Sequence, residues 1–164
     1  PVFMSSLLQV PFIQQLIGPD SSVGIVCAQK RFLTDIHLTQ MGIDLSSNFF
    51  IAGAQDEYGC PEFDNLWDHK KRPDIPRIEY EKAETDMVDI CRQFVDSKKN
   101  IGALMLECTG MQPFARRIQQ AVDLFQSYKE SLGKGNFAEA GETLQDLDRV
   151  LDRLAGGKET TEGE

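Results

Sequence analysis

Four short apolar runs set the narrowest limit on what this chain can fold into: Pro1-Val2-Phe3-Met4-Ser5-Ser6, Val23–Ala28, Phe49–Ala54 and Ile101–Leu106. Each is too short for a stable buried helix. None alternates apolar with polar residues as a half-exposed strand does, so each reads as a strand covered on both faces. Helix-period stretches separate them, and strand–helix alternation of this kind predicts an α/β fold with helices on both faces of a parallel sheet. The expectation is therefore a four-stranded, flavodoxin-like parallel sheet over residues 1–122.

The intervening helices are expected at Leu7–Ile17, Phe32–Met41, Ile78–Ser97 and about Gln112–Val122, with Ser6 capping the first. Gly18-Pro19-Asp20 and Gly42 stop the first two. Lys98 and Lys99 stand at the end of the third, where the helix dipole favours cations. A long polar loop with Gly59, Pro61, Trp67, Pro73 and Pro76 has the length of a lid or binding loop. Beyond Val122, a stripe of Leu124, Phe125, Tyr128 and Leu132 is broken at Gly133-Lys134-Gly135. Asn136 can then cap a helix carrying Phe137, Ala140, Leu144, Leu147, Leu151 and Leu154 at heptad-like spacing. Residues 123–155 thus predict an amphipathic helical hairpin whose seam packs on its own domain or on a partner helix. Residues 156–164 read as a disordered acidic tail.

Charge and cysteine usage exclude several function classes. The chain has 164 residues, one domain's length with an appendage, and a net charge of −9, which phosphate backbones and anionic lipid repel. No nucleic-acid or membrane partner is expected, and the location reads as cytoplasmic. Cys27, Cys60, Cys91 and Cys108 are scattered, with no Cys/His cluster at metal-ligand spacing, so no metal and no disulfide framework is expected.

Ligands of open parallel sheets sit at the carboxyl ends of the strands. That rule selects Ser5, Ser6, Cys27-Ala28-Gln29, Gly53-Ala54 and Cys108-Thr109-Gly110. Cys108 precedes a helix start, where free N–H groups stabilise a thiolate; from position alone, a cysteine at a strand end is more often a small apolar filler than a nucleophile or base. Cys91 falls at a core position of its helix. His37 and His69 lack surrounding motifs and suit surface or capping roles. Lys70-Lys71-Arg72, beside Asp68 and Asp74, reads as a solvated face.

Pro-Val-Phe-Met-Ser-Ser-Leu-Leu-Gln-Val at the start, Val23-Gly24-Ile25-Val26 and above all Leu106-Glu107-Cys108-Thr109-Gly110-Met111-Gln112-Pro113-Phe114 resemble the aspartate/glutamate/hydantoin racemase superfamily, from about Pro1 to Val122. The resemblance implies the second of two facing domains, an isomerase that needs no cofactor, and an amino acid or related small carboxylate as substrate. Cys108 would be the acid/base at the α carbon, and Thr109, Ser5, Ser6 and Gln29 would bind substrate. The first domain and its cysteine turn are missing, so the chain reads as a fragment, a fusion or a truncation. A homodimer facing two copies of Cys108 across a cleft would restore two bases. From about Phe125 to Leu154 the hairpin is similar to the cytoplasmic tail of a family of large bacterial membrane proteins. The competing expectation is a non-catalytic binding or scaffold domain that recruits a protein partner through the helical seam.

Overall fold

Three of the apolar runs form the sheet. The computed structural model describes residues 5–155. A 3₁₀ turn, Ser6–Gln9, leads into α1 (Val10–Ile17), β1 (Ser22–Cys27), a second 3₁₀ turn (Lys30–Phe32), α2 (Asp35–Gln40), β2 (Phe49–Gly53), α3 (Pro61–Trp67) and α4 (Tyr80–Ser97). Then come β3 (Ile101–Leu106), a third 3₁₀ turn (Thr109–Phe114), α5 (Ala115–Gly133) and α6 (Phe137–Ala155).

The sheet order is β2-β1-β3, all parallel. Every residue of the middle strand β1 is buried, as expected of a strand covered on both faces. Val23 and Ile25 pack on one side with Leu7, Val10, Leu38 and Met105, while Val26 joins the larger core of Phe94, Cys91, Phe114 and Ile118 on the other. Gly24 lets α4 approach: a β carbon there would stand 2.7 Å from Leu104 Cδ2 and 3.0 Å from Phe94 Cε1.

The four-stranded expectation is corrected to three strands among the described residues. Residues 1–4 of the first expected strand lie outside the described residues, and the chain is already in a 3₁₀ turn from Ser6. The cap of that turn is Ser5 and not Ser6, because the Ser5 hydroxyl accepts the Leu7 amide at 3.2 Å. The expected helix at Phe32–Met41 begins later, at Asp35, behind a capping box between Thr34 and His37. The long polar loop contains α3, which starts at Pro61, where a missing N–H costs nothing.

Around the hairpin, α5 runs unbroken through residues 122 and 123, where the sequence suggested two stripes. Asn136 stands before α6, its side-chain oxygen 3.4 Å from the Glu139 amide. The seam of α6 turns inward only in part: Ala140 and Leu147 are buried and Leu151 packs on the core, whereas Phe137 and Leu144 are exposed, and Val150, beside the seam, joins Leu147 in the core that holds Phe94 and Ile118. The scaffold expectation of a free seam is corrected at Ala140 and Leu147, which are buried inside the chain; Leu154 and the tail at 156–164 lie outside the described side chains. Among the described residues no helix is long and apolar enough to cross a membrane.

The end of β2 is the most tightly constrained turn. Asp56 accepts the amides of Lys30 at 3.0 Å and Arg31 at 3.1 Å. A β carbon on Gly53 would collide with the Asp56 carboxylate and stand 2.8 Å from the Lys30 nitrogen. Gly53→Ala should therefore cost about 1–3 kcal/mol. Thermal unfolding checks this; an unchanged melting temperature would contradict the close approach.

Candidate functional site

Chain direction places the ends of β1 and β3 side by side. The Glu107 amide donates to the Val26 carbonyl and the Ala54 amide to the Cys27 carbonyl, both at 2.8 Å, so the segments leaving all three strands are locked edge to edge. Above them opens a cavity of about 680 Å³. Its walls come from Cys27, Ala28 and Gln29 after β1, Gln55 after β2, and Glu107, Cys108 and Thr109 after β3; Ser5 and Leu7 close one side. Phe32, Leu33, His37 and Met41 close another.

Of the residues expected at the site, Cys108, Thr109, Ser5 and Gln29 line this one cavity. Ser6 does not line it; its hydroxyl donates to the Glu107 carbonyl at 3.0 Å and ties the entry turn to the end of β3. Gln29 is held by two neighbours. Its side-chain oxygen accepts Arg31 Nη2 at 2.7 Å, and its amide nitrogen donates to Gln55 Oε1 at 3.3 Å. Gln55 in turn donates to Asp64 Oδ1 at 2.8 Å, and Lys71 stands 2.6 Å from Asp64 Oδ2. Lys71 is thus not merely solvated, as the basic run suggested; its hydrogen bond holds the Asp64 carboxyl below the usual range.

The four thiols differ in exposure. Cys108 is half-buried, and the other three are buried. Burial pushes the Cys108 thiol above its ordinary value, with a smaller push from the Glu107 carboxylate, while the Gly110 and Met111 amides pull it back by hydrogen bonding. Cys27 is pushed up to about 12, first by burial and then by Glu107, Asp56 and Glu57. Its sulfur faces the Ala52 carbonyl at 3.5 Å. Cys60 and Cys91 are also pushed up to about 12 by burial. Cys60, which had no partner evident from sequence, stands 3.7 Å from Asp86 Oδ2.

Sequence reasoning passed over Glu107, Gln55, Phe32, His37 and Met41. Glu107 and Gln55 follow strand ends by the same rule that selected Gln29, so that signal was available. Phe32 arrives on the second 3₁₀ turn, and His37 and Met41 through the packing of α2, which no local pattern announces. His37 does cap, its Nδ1 lying 3.1 Å from the Thr34 amide nitrogen, and it also faces the cavity. Among the described residues no group of three His, Cys, Asp or Glu side chains is arranged to hold a metal ion. A smaller hollow of about 280 Å³ between β3 and α5 is lined mostly by aliphatic residues such as Leu104, Ile118 and Val122.

Fold and site together define an α/β protein with a thiol-bearing pocket at the carboxyl edge of a parallel sheet. Comparison with known proteins finds relatives at low identity. The chain is 27% identical over 128 residues to a dimethylsulfoniopropionate lyase of Durusdinium sp. clade D, a match covering 76% of this chain and 40% of that protein. It is 26% identical over 132 residues to dimethylsulfoniopropionate lyase 7 of Emiliania huxleyi (strain CCMP1516), covering 76% of this chain and 36% of that protein. The chain thus spans well under half the length of the curated relatives it matches. No family model matches the chain, and no solved structure matches it. These findings correct the racemase-family resemblance and the isomerase function drawn from it, because the matching relatives are named for a lyase. The likeness of the hairpin to a bacterial membrane-protein tail likewise finds no matching family model.

Two predictions follow from the thiols. Because a thiolate and not a thiol is alkylated, iodoacetamide at about pH 8 should modify Cys108 well before the three buried cysteines, as peptide mapping would read. Equal labelling of Cys91 would contradict its burial. Burial in the fold pushes Cys27, Cys60 and Cys91 up to about 12 from the 9.0 of a free thiol. Their neutral burial therefore stabilises the fold below about pH 9, and that contribution is lost as pH rises toward about 12. Urea midpoints should fall across this window, and by less when Cys91 is replaced by Ala; an identical fall in the variant would show that Cys91 adds nothing to it.

Proposed function

We propose that this chain carries the proton-abstracting part of a lyase acting on a sulfonium carboxylate of the dimethylsulfoniopropionate type. The observation that carries the reading is the half-exposed Cys108 thiol on the wall of the strand-end cavity, backed by the Gly110 and Met111 amides, in a chain whose relatives bear that name. Such a substrate has a carboxylate on Cα and a dimethylsulfonium group on Cβ. The Cys108 thiolate takes the Cα proton, the C–H electron pair becomes the Cα–Cβ double bond, and the Cβ–S bond breaks with its pair on sulfur. The products are acrylate and neutral dimethyl sulfide, and the proton passes from Cys108 to water.

The chemistry explains how one cysteine can suffice. Racemisation needs an acid on the face opposite the base as well as the base itself. Elimination needs one base, because a sulfide leaving from a sulfonium is neutral and takes no proton. A proton next to a carboxylate is weakly acidic, so hydrogen bonds to the developing charge must come from the site. The hydroxyls of Thr109 and Ser5 line the cavity and are suited to hold the carboxylate. Four unbridged thiols support a cytoplasmic location.

The test is release of dimethyl sulfide from dimethylsulfoniopropionate by the chain, followed by headspace gas chromatography. Cys108→Ala should lower kcat/KM by about 100-fold or more. With the thiol held above its ordinary value, the active thiolate is scarce at neutral pH, so kcat/KM should rise about tenfold per pH unit from about pH 7. No sulfide from the intact chain, or full activity in Cys108→Ala, overturns the reading.

A further inference from the structure

The cavity wall carries one carboxylate that no cationic side chain among the described residues pairs with. Glu107 is its only Asp or Glu lining residue, and no Lys or Arg lines it. The nearby cation, Arg31, is already engaged: its guanidinium donates to Gln29 Oε1 and lies 4.9 Å from the centre of the Phe32 ring. Among the described residues the other ion pairs lie elsewhere, and none includes Glu107. Its main chain is fixed at both ends, the amide on Val26 and the carbonyl on the Ser6 hydroxyl, so the half-buried carboxylate is anchored at the cavity wall. It lies close enough to Cys27 and Cys108 for its charge to act on both thiols.

A half-buried carboxylate in a pocket otherwise walled by thiols, amides, hydroxyls, the His37 imidazole and the apolar Leu7, Phe32, Leu33 and Met41 suits one kind of guest. That guest carries a cation whose surface is methyl groups. Such a cation cannot donate hydrogen bonds and loses little hydration on entering an apolar wall, so a single carboxylate can balance it without a bidentate partner. A primary ammonium would leave N–H donors unmet against Leu7, Leu33 and Met41, at the cost of an unsatisfied polar group.

We infer that Glu107 is the counter-charge that selects a permanent, alkylated onium group, sulfonium or quaternary ammonium, at this site. The inference deepens the lyase reading and rests on it for the location of the substrate. It assigns the two ends of the guest: the onium group against Glu107, and the carboxylate toward the Thr109 and Ser5 hydroxyls. Cys108, next in sequence to both Glu107 and Thr109, then faces the carbons between them. Glu107 is a binding residue here and takes no proton.

Two unreactive probes of nearly one shape test this. One is the betaine of β-alanine, with a trimethylammonium group; the other is its isostere with an uncharged tert-butyl group in that place and the same carboxylate. Calorimetric titration of the chain should show the betaine bound about fivefold tighter, the upper range of a partly screened charge pair. Glu107→Gln should erase that preference while the isostere still binds, and Glu107→Asp should keep part of it, which separates loss of charge from loss of fold. Equal binding of the two probes by the native chain, no binding of either, or a preference that survives Glu107→Gln overturns the inference. Dimethyl sulfide release without charge preference would sink this inference and leave the lyase reading standing. Charge preference without any sulfide release would do the reverse.

Discussion

The parallel ladder on β1 is the constraint on which the rest depends. Its residues are buried on both faces, its left neighbour is β2 and its right neighbour is β3. Because a parallel strand sends all its neighbours' chain ends the same way, the segments after Cys27, Gly53 and Leu106 must emerge together. The amide of Glu107 on Val26 and that of Ala54 on Cys27 extend the ladder past the strands. The cavity is the space left above those last rungs, so its walls are as fixed as the sheet. Gly24 is part of the same constraint, since any side chain there would lift Phe94 and Leu104 off the strand.

Electrostatics then divides four chemically identical side chains. Cys91 lies in the apolar core and Cys27 in the field of Glu107, Asp56 and Glu57, and both keep their protons. Cys108 feels burial and Glu107 as well, but two backbone amides oppose them. Its position at the cavity wall makes it the thiol that can meet a guest. The same geometry that keeps the thiol reluctant to ionise makes it a strong base once it has done so, which suits removal of a weakly acidic proton.

Much of this was legible in the residues. Continuous apolar runs at Val23–Ala28, Phe49–Ala54 and Ile101–Leu106 identified the three strands, and the strand-end rule brought Cys108, Thr109, Ser5 and Gln29 to one cavity. Other parts depended on contacts that no local pattern carries. The heptad-like spacing in α6 looked the same whether its partner was another chain or α4 and α5, and only tertiary packing decided that Leu147 and Val150 join the main core. Lys71 looked solvated because Asp64, its partner seven residues earlier, stands inside α3, a helix hidden in what read as loop. The racemase resemblance rested on the turn Glu107-Cys108-Thr109, and a turn that presents a thiol beside free amides serves proton removal in more than one reaction. Chemistry of the leaving group, not the turn, separates a lyase from an isomerase.

The strand order also carries a kinetic consequence. Val23 pairs with Phe49, but Ser22 pairs with Ile101, across a chain separation about three times as long. Closing the longer loop costs about 1 kcal/mol more in chain entropy by logarithmic scaling, and parallel pairings of high sequence separation are intrinsically slow to form. On a ribosome β1 and β2 are finished long before β3 emerges, and one edge of β1 waits unpaired until it does. The cavity needs both edges, so it is assembled late: a nascent chain acquires most of its core before it acquires a place to bind anything.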